Sequence, residues 1–271
     1  MGGDLKDLRD KYVLVTGGAS GIGKSLAHRF LMEGSNVAIV DICPDKMEQT
    51  CEQYKGLGNI IPYQCDISKS EMVYELLKKV ECDFGQIDIL VNNAGILDSN
   101  LFLDKSPEII ERTIAVNFLA LCWTIKAFLP GMIERNNGKI VNMASAGGYI
   151  STPYTVDYCA SKHAVIGLVK GLRREIRLMG ITGVSLLYVC PGMVNTGMVK
   201  GASLLKGGKA FMEPDWLVEK IIQAIKTNKK SLHLPPYVRF IPVLEALFPA
   251  SFVDKKYEDM GLSSSMAKIG K

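Results

Sequence analysis

Six short apolar runs, each followed by a stretch of helical character, constrain this chain more than any other feature. The runs are 12–16 (YVLVT), 36–41 (NVAIVD), 60–66 (IIPYQCD), 87–91 (IDILV), 139–145 (KIVNMAS) and 184–190 (VSLLYVC). Each is nearly continuous rather than alternating, as strands are when helices cover both faces of their sheet. The intervening stretches are long enough for the right-handed crossovers that parallel neighbours require. The expectation is one α/β domain, a doubly wound parallel sheet with helices on both faces. A length of 271 residues would by itself allow two domains. The repeated unit, however, occupies residues 1–235 and leaves only 236–271, too few for a second core.

Composition excludes several classes. With 48% hydrophobic and 22% charged residues, the chain is neither disordered nor fibrous. Its net charge of +4 comes from bases scattered along the sequence, so no nucleic-acid partner is expected. The seven cysteines are odd in number and include no CxxC pair, which argues against a disulfide framework or a metal site and for a reducing compartment. His28, His163 and His233 have no spacing that suggests a metal or a triad. Residues 1–12 lack the apolar core of a signal peptide, and Lys6 stands where a myristoylation signal wants Ser or Thr. No uninterrupted run of 18 apolar residues occurs, so no bilayer-spanning helix is expected. A cytoplasmic location follows.

Organisation changes after Pro191. Residues 192–213, with Gly and Met throughout and Leu204 and Leu205 near the middle, lack a period and read as a mobile substrate loop. Residues 213–230 read as an amphipathic helix with Leu217, Val218, Ile221, Ile222 and Ile225 on one face, and SLHLP (231–235) as a last strand. The tail from Pro236 to Phe252 carries nine large apolar residues interrupted by three prolines, and Lys255, Lys256, Lys268 and Lys271 follow. Pocket cover, subunit interface and contact with a membrane surface are all open to it; cover plus interface is the preferred reading.

The first run leads directly into GGASGIG (17–23) and then into a helix with Leu26, Phe30 and Leu31 on one side. Glycines at 17, 21 and 23 allow a tight turn and close approach to a pyrophosphate. The helix start at Ser20, Gly21 and Ile22 offers free N–H groups and a positive dipole end. Asp41 closes the second run 18 residues past Gly23, near the spacing at which a carboxylate hydrogen-bonds a ribose 2′-OH. Ile42 follows Asp41 and Gly18 follows Gly17, so no Arg or Lys stands where a 2′-phosphate needs one. NAD is expected over NADP. Asp41 can also cap the helix that starts near Pro44, and the two roles are compatible.

TGGASGIG (16–23), NNAG (92–95), Asn117, Ser145, YCASK (158–162) and PGMVNT (191–196) together resemble the short-chain dehydrogenase/reductase family, over about residues 10–235. Ser145 stands 13 residues before Tyr158, the family's usual separation. The resemblance implies a Rossmann-type fold and a catalytic set of Asn117, Ser145, Tyr158 and Lys162. Tyr158 and Lys162 are four apart and share a helix face. Tyrosine, ordinarily near pKa ~10, is expected to be lowered by the ammonium and by an oxidised nicotinamide ring. Tyr158 then exchanges a proton with the substrate oxygen while hydride moves to or from the cofactor. Ser145 orients that oxygen, Lys162 also holds the nicotinamide ribose, and Asn117 anchors a relay water.

By the same resemblance Asn93, Ala94 and Gly95 pass the cofactor, and Asp66 with Ile67 meets the adenine; helix capping is the other use open to Asp66. Pro191, Gly192, Val194 and Thr196 meet the nicotinamide end. A finer resemblance, in WTIKAFLPGM (123–132), GKIVNMASAGGY (138–149), YCASKHAVIG (158–167), ITGV (181–184), PGMVNTGM (191–198) and LEALFP (244–249), is to the branch of 17β-hydroxysteroid dehydrogenases 11 and 13 and the epidermal retinol dehydrogenases. It implies a lipid-like alcohol or carbonyl substrate, such as a retinoid, steroid, isoprenoid or fatty alcohol. Ser145, Gly147, Tyr149, Met193 and Met198 are the expected pocket residues. The hydrophobic N-terminal segment that ties those relatives to endoplasmic reticulum or lipid droplets has no counterpart here, so any such contact is expected to be peripheral and through the tail. Small residues Ala160, Ala164, Gly167 and Gly171 beside Tyr158 suit the helix pairing that gives family members homodimers or homotetramers. The alternatives are an NADPH-dependent carbonyl reductase and a lipid-surface docking protein with vestigial catalysis.

Overall fold

Side chains along each apolar run part alternately to two cores, which is why the runs are continuous. Val13, Val15, Val37, Ile39, Ile89 and Val91 enter one core, and Leu14, Ala38, Val40, Leu90 and Ile140 enter the other. The computed structural model describes residues 6–203, 211–267 and 269; residues 1–5, Leu204, Leu205, Lys268 and Lys271 lie outside these. Strands β1 (Tyr12–Thr16), β2 (Asn36–Asp41), β3 (Ile60–Gln64), β4 (Ile89–Asn92), β5 (Gly138–Met143), β6 (Val184–Pro191) and β7 (Ser231–Leu234) form one sheet. Every pairing is parallel, in the order β3-β2-β1-β4-β5-β6-β7.

Helices α1 (Gly21–Met32), α2 (Pro44–Gln53) and, later in the chain, α7 (Pro214–Lys226) supply the first core. Helices α3 (Ser70–Asp83), α5 (Ala120–Glu134) and α6 (Val156–Leu178) supply the second. The doubly wound architecture is therefore as expected. Since β1 lies between β2 and β4, the crossovers diverge from it and leave a crevice at the carboxyl ends of β1 and β4, where such sheets bind ligands. Boundaries move where the site begins: β5 stops at Met143, two residues short of Ser145, because the chain turns into a 3-10 turn at Ala146–Gly148.

Helix α4 (Pro107–Ile114) runs into α5 through a π-helical turn, Ala115–Leu119. The combined 28-residue helix is long and apolar enough to cross a membrane by length and composition, but half of its most apolar stretch is buried inside the protein. The tail is helical: a 3-10 turn (Pro236–Phe240), then α8 (Ile241–Leu247), α9 (Ala250–Asp259) and α10 (Leu262–Ser265). Its three prolines do not break these helices. Pro236 and Pro242 sit in first turns and Pro249 at an N-cap, where the missing N–H is not needed.

Candidate active site

The glycine turn after β1 is shaped by close backbone packing. Gly17 and Gly21 have φ of 64° and 49°, left-handed values that glycine adopts without strain. A Cβ on Gly23 would lie 2.0 Å from the Gly17 carbonyl oxygen, so Gly23 lets α1 press against the turn. Ser20 begins α1 without a side-chain cap, which leaves its first amides to an anion. Asn93 donates to the carbonyls of Thr16 (3.0 Å) and Gly17 (3.3 Å), and Thr16 Oγ1 accepts from the amides of Asn93 and Ala94. The loops after β1 and β4 are thereby tied together.

A cleft of about 650 Å³ runs along these strand ends. Its wall holds Gly17, Ser20, Gly21, Ile22, Asp41, Asp66, Ile67, Asn93, Ala94, Gly95, Ser145, Tyr158, Lys162, Pro191, Gly192, Val194 and Thr196. Every residue assigned to the cofactor from sequence is among them except Gly23, whose place is behind the wall. Asp41 Oδ2 accepts from the Ala19 amide at 3.2 Å, and its Oδ1 accepts from the amides of Ile42 and Cys43, so the carboxylate braces the turn as well as facing the cleft. Asp66 closes a turn ahead of α3 rather than capping it: its Oδ1 accepts from Ser68 N and Oγ, while α3 starts at Ser70 without a side-chain cap. Two basic residues that spacing did not reveal also reach the wall, Lys46 from α2 and Arg112 from α4. Lys46 stands five residues past Asp41, and helix α2 brings it to the same wall. A glycine cradle, an uncapped helix start and a carboxylate on one continuous wall fit a dinucleotide.

Ser145, Tyr158 and Lys162 converge at the floor. Ser145 Oγ accepts from the Gly147 amide at 3.0 Å and lines the same cleft as Tyr158, near enough to favour its phenolate. Lys162, buried on α6, donates to the Met143 carbonyl at 2.9 Å and lies 5.6 Å from the centre of the Tyr158 ring. Burial pushes the Tyr158 phenol up to about 12 against the lowering effect of Ser145. Burial also lowers the Lys162 ammonium to about 8. The expected lowering of Tyr158 is thus reversed in the protein alone, because desolvation outweighs the stabilisation available to the phenolate. Asn117 sits in the π-helical turn, a type of irregularity frequent at functional sites. Its Oδ1 accepts from the Ile96 amide at 2.8 Å, and its Nδ2 donates to the Ile96 carbonyl and to Ser161 Oγ. Its side chain thereby fastens the loop beside Lys162.

A second cavity of about 460 Å³ meets the cleft at Ser145, Tyr158, Gly192, Met198 and Val199. Gly147, Met193 and Met198 line it as expected, but Tyr149 does not. The 3-10 turn carries Tyr149 to the other side, where its hydroxyl lies 3.2 Å from both Tyr188 Oη and His233 Nε2. Sequence reading missed Leu97 and Cys159 and did not single out the tail residues that line the cavity, Ile241, Tyr257, Leu262 and Met266. The one signal pointing to the latter group was the apolar content of the tail.

Known proteins agree with this geometry. Residues 11–204 match the short chain dehydrogenase family. Human estradiol 17-beta-dehydrogenase 11 is 39% identical over 250 residues, 92% of this chain and 82% of the relative. Human epidermal retinol dehydrogenase 2 is 36% identical over 251 residues, 90% of this chain and 80% of the relative. A Burkholderia phymatum short-chain dehydrogenase/reductase solved in complex with NAD superposes with a TM-score of 0.81 at 22% identity, covering 92% of this chain and 96% of that one. An alcohol dehydrogenase from the archaeon Thermococcus sibiricus, complexed with 5-hydroxy-NADP, gives 0.72 at 25% identity, covering 83% and 95%. The chain belongs to the short-chain dehydrogenases and is an oxidoreductase related to the steroid and retinol dehydrogenases among them.

Proposed function

We propose that the protein interconverts a lipid-like alcohol and its carbonyl with NAD, using Tyr158 as general acid and base. The observation that carries this reading is the junction of two unlike spaces at Ser145 and Tyr158: a dinucleotide cleft and an apolar cavity. When bound, the dinucleotide supplies the hydride acceptor and, oxidised, a positive charge near Tyr158. Ser145 donates to the substrate oxygen and holds it at the phenol. Tyr158 takes the hydroxyl proton in oxidation and returns it in reduction, while Lys162 favours the phenolate and holds the ribose. Asp41 selects a free 2′-OH. The apolar cavity wall, including the methionines that adapt to irregular ligands, favours a retinoid, steroid, isoprenoid or fatty alcohol over a sugar.

The test follows NADH absorbance with retinol, estradiol, farnesol and long-chain alcohols. Turnover of at least one substrate, falling about 1,000-fold in Tyr158→Phe, is expected. No turnover above that variant would overturn the reading.

Lys46 on the same wall as Asp41 favours a second reading, an NADPH-dependent carbonyl reductase; the ratio of kcat/KM for the two cofactors decides between them. Residues 236–271 act as pocket cover and subunit contact in a homodimer or homotetramer. Leu247, Phe248 and Phe252 on the outer surface of the tail support additional contact with a lipid surface from the cytoplasmic side. A flotation assay with and without residues 236–271 tests it.

A further inference from the structure

The loop leaving β4 contributes to both walls of the site, with Gly95 and Ile96 on the cleft and Leu97 on the cavity. Asn117 fastens it at Ile96, as described above. A second fastening lies further along. The Lys105 ammonium, wholly buried, donates to Asp157 Oδ1 at 2.5 Å and to the Asp98 carbonyl at 2.9 Å. Asp157 is also buried, its Oδ2 has no hydrogen-bond partner among the described residues, and it immediately precedes Tyr158. A charge pair withdrawn from water thus joins the loop that forms the cavity wall to the helical turn that carries the proposed base.

Such a pair is a poor source of net stability. Desolvation offsets most of its attraction, and two apolar side chains of similar volume can hold a fold as well or better. What they cannot supply is direction, because an ammonium aims separate N–H groups at separate acceptors. We propose that Lys105 is a positioning residue. By gripping Asp157 and the Asp98 carbonyl together, it sets the Leu97 wall at one distance from Tyr158 and so seats the reacting carbon of the substrate against the phenol. This rests on the role of Tyr158 proposed above.

The test compares wild type with Lys105→Met and with Lys105→Met/Asp157→Leu, the latter leaving no buried unpaired charge if the single variant fails to fold, since the Asp98 carboxylate, 3.6 Å from the ammonium, is a third exposed to water. Active sites are counted by NADH fluorescence titration. Expected for the double variant are a Tm no lower than wild type and an NADH Kd within about twofold, with kcat per site down about a hundredfold. Amide hydrogen exchange should quicken in residues 96–104 and 155–160 alone. Recovery of kcat to within about threefold of wild type, or unchanged exchange in those two segments, overturns the proposal. If wild type turns over no alcohol, the proposed function fails instead, and the exchange experiment still reports on the fastening.

Discussion

The dinucleotide cleft is made of backbone turns at the ends of neighbouring strands, whereas the apolar cavity beside it is made of side chains gathered from distant segments. In the cleft, glycine geometry and local hydrogen bonds decide the shape: Gly23 packs on Gly17, and Asn93 bridges two loops. In the cavity, Leu97, Cys159, Met193, Ile241 and Met266 come from five places along the chain and share only their apolar character. The first kind of site leaves no room for an added atom at Gly17 or Gly23. The second is adjustable, since a lost methylene on its wall removes little contact area.

That contrast can be broken by substitution. The largest effect is expected for Gly23→Ala, where the new Cβ meets the Gly17 carbonyl at 2.0 Å. Overpacking of that severity should weaken NADH about a hundredfold, read by fluorescence titration. Binding retained at wild-type strength would mean that the turn is not what shapes the cleft. Asp41→Ala comes next. Losing one hydrogen bond to a charged group should move the NAD-over-NADP ratio of kcat/KM toward NADP by about ten- to a hundredfold. Met266→Ala, in the cavity, should lower kcat/KM for the best long-chain alcohol only about fivefold and leave NADH binding untouched. An equal loss for a short alcohol would deny the tail a part in selection.

The smallest effect lies at the opposite end of β5 from Ser145, and it isolates stability from both regions. Lys139 is fully buried there, donating to Asn228 Oδ1 and the Lys229 carbonyl. Burial, with Lys230 and Arg173 nearby, lowers it from 10.5 to about 7. Between those values the unfolded chain binds the proton that the folded one does not, so this group makes stability rise with pH across the window. Lys139→Met should raise Tm by about 3–5 °C near neutral pH and flatten the rise seen by thermal melts from pH 7 to 10. Lys162 and Lys230, lowered in the same sense, keep part of the rise, and the buried thiols Cys65 and Cys190, raised above their ordinary value, oppose it.

How far the sequence could be read follows from the same contrast. The glycine turn, Asp41 and the Tyr158–Lys162 pair depend on spacing within one or two adjacent elements, so the residues themselves announce the geometry. The apolar runs disclosed the sheet for the same reason. Lys46 was hidden because a helix, not the strand, carries it to the wall. Tyr149 was misplaced because one residue of a 3-10 turn decides between the pocket and the far side. The tail helices were obscured by prolines that read as breakers until their positions at helix starts were seen. Which of the tail's apolar residues face inward depends on packing between remote parts of the chain, and no local period records it.

The cleft and its chemical floor are built from residues up to Val199, while much of the cavity's outer wall comes from residues after Pro235. Inheritance can therefore act on the two separately. A lineage of such enzymes can exchange one substrate for another by drifting in its last helices, each change worth a few-fold, without passing through an inactive ancestor.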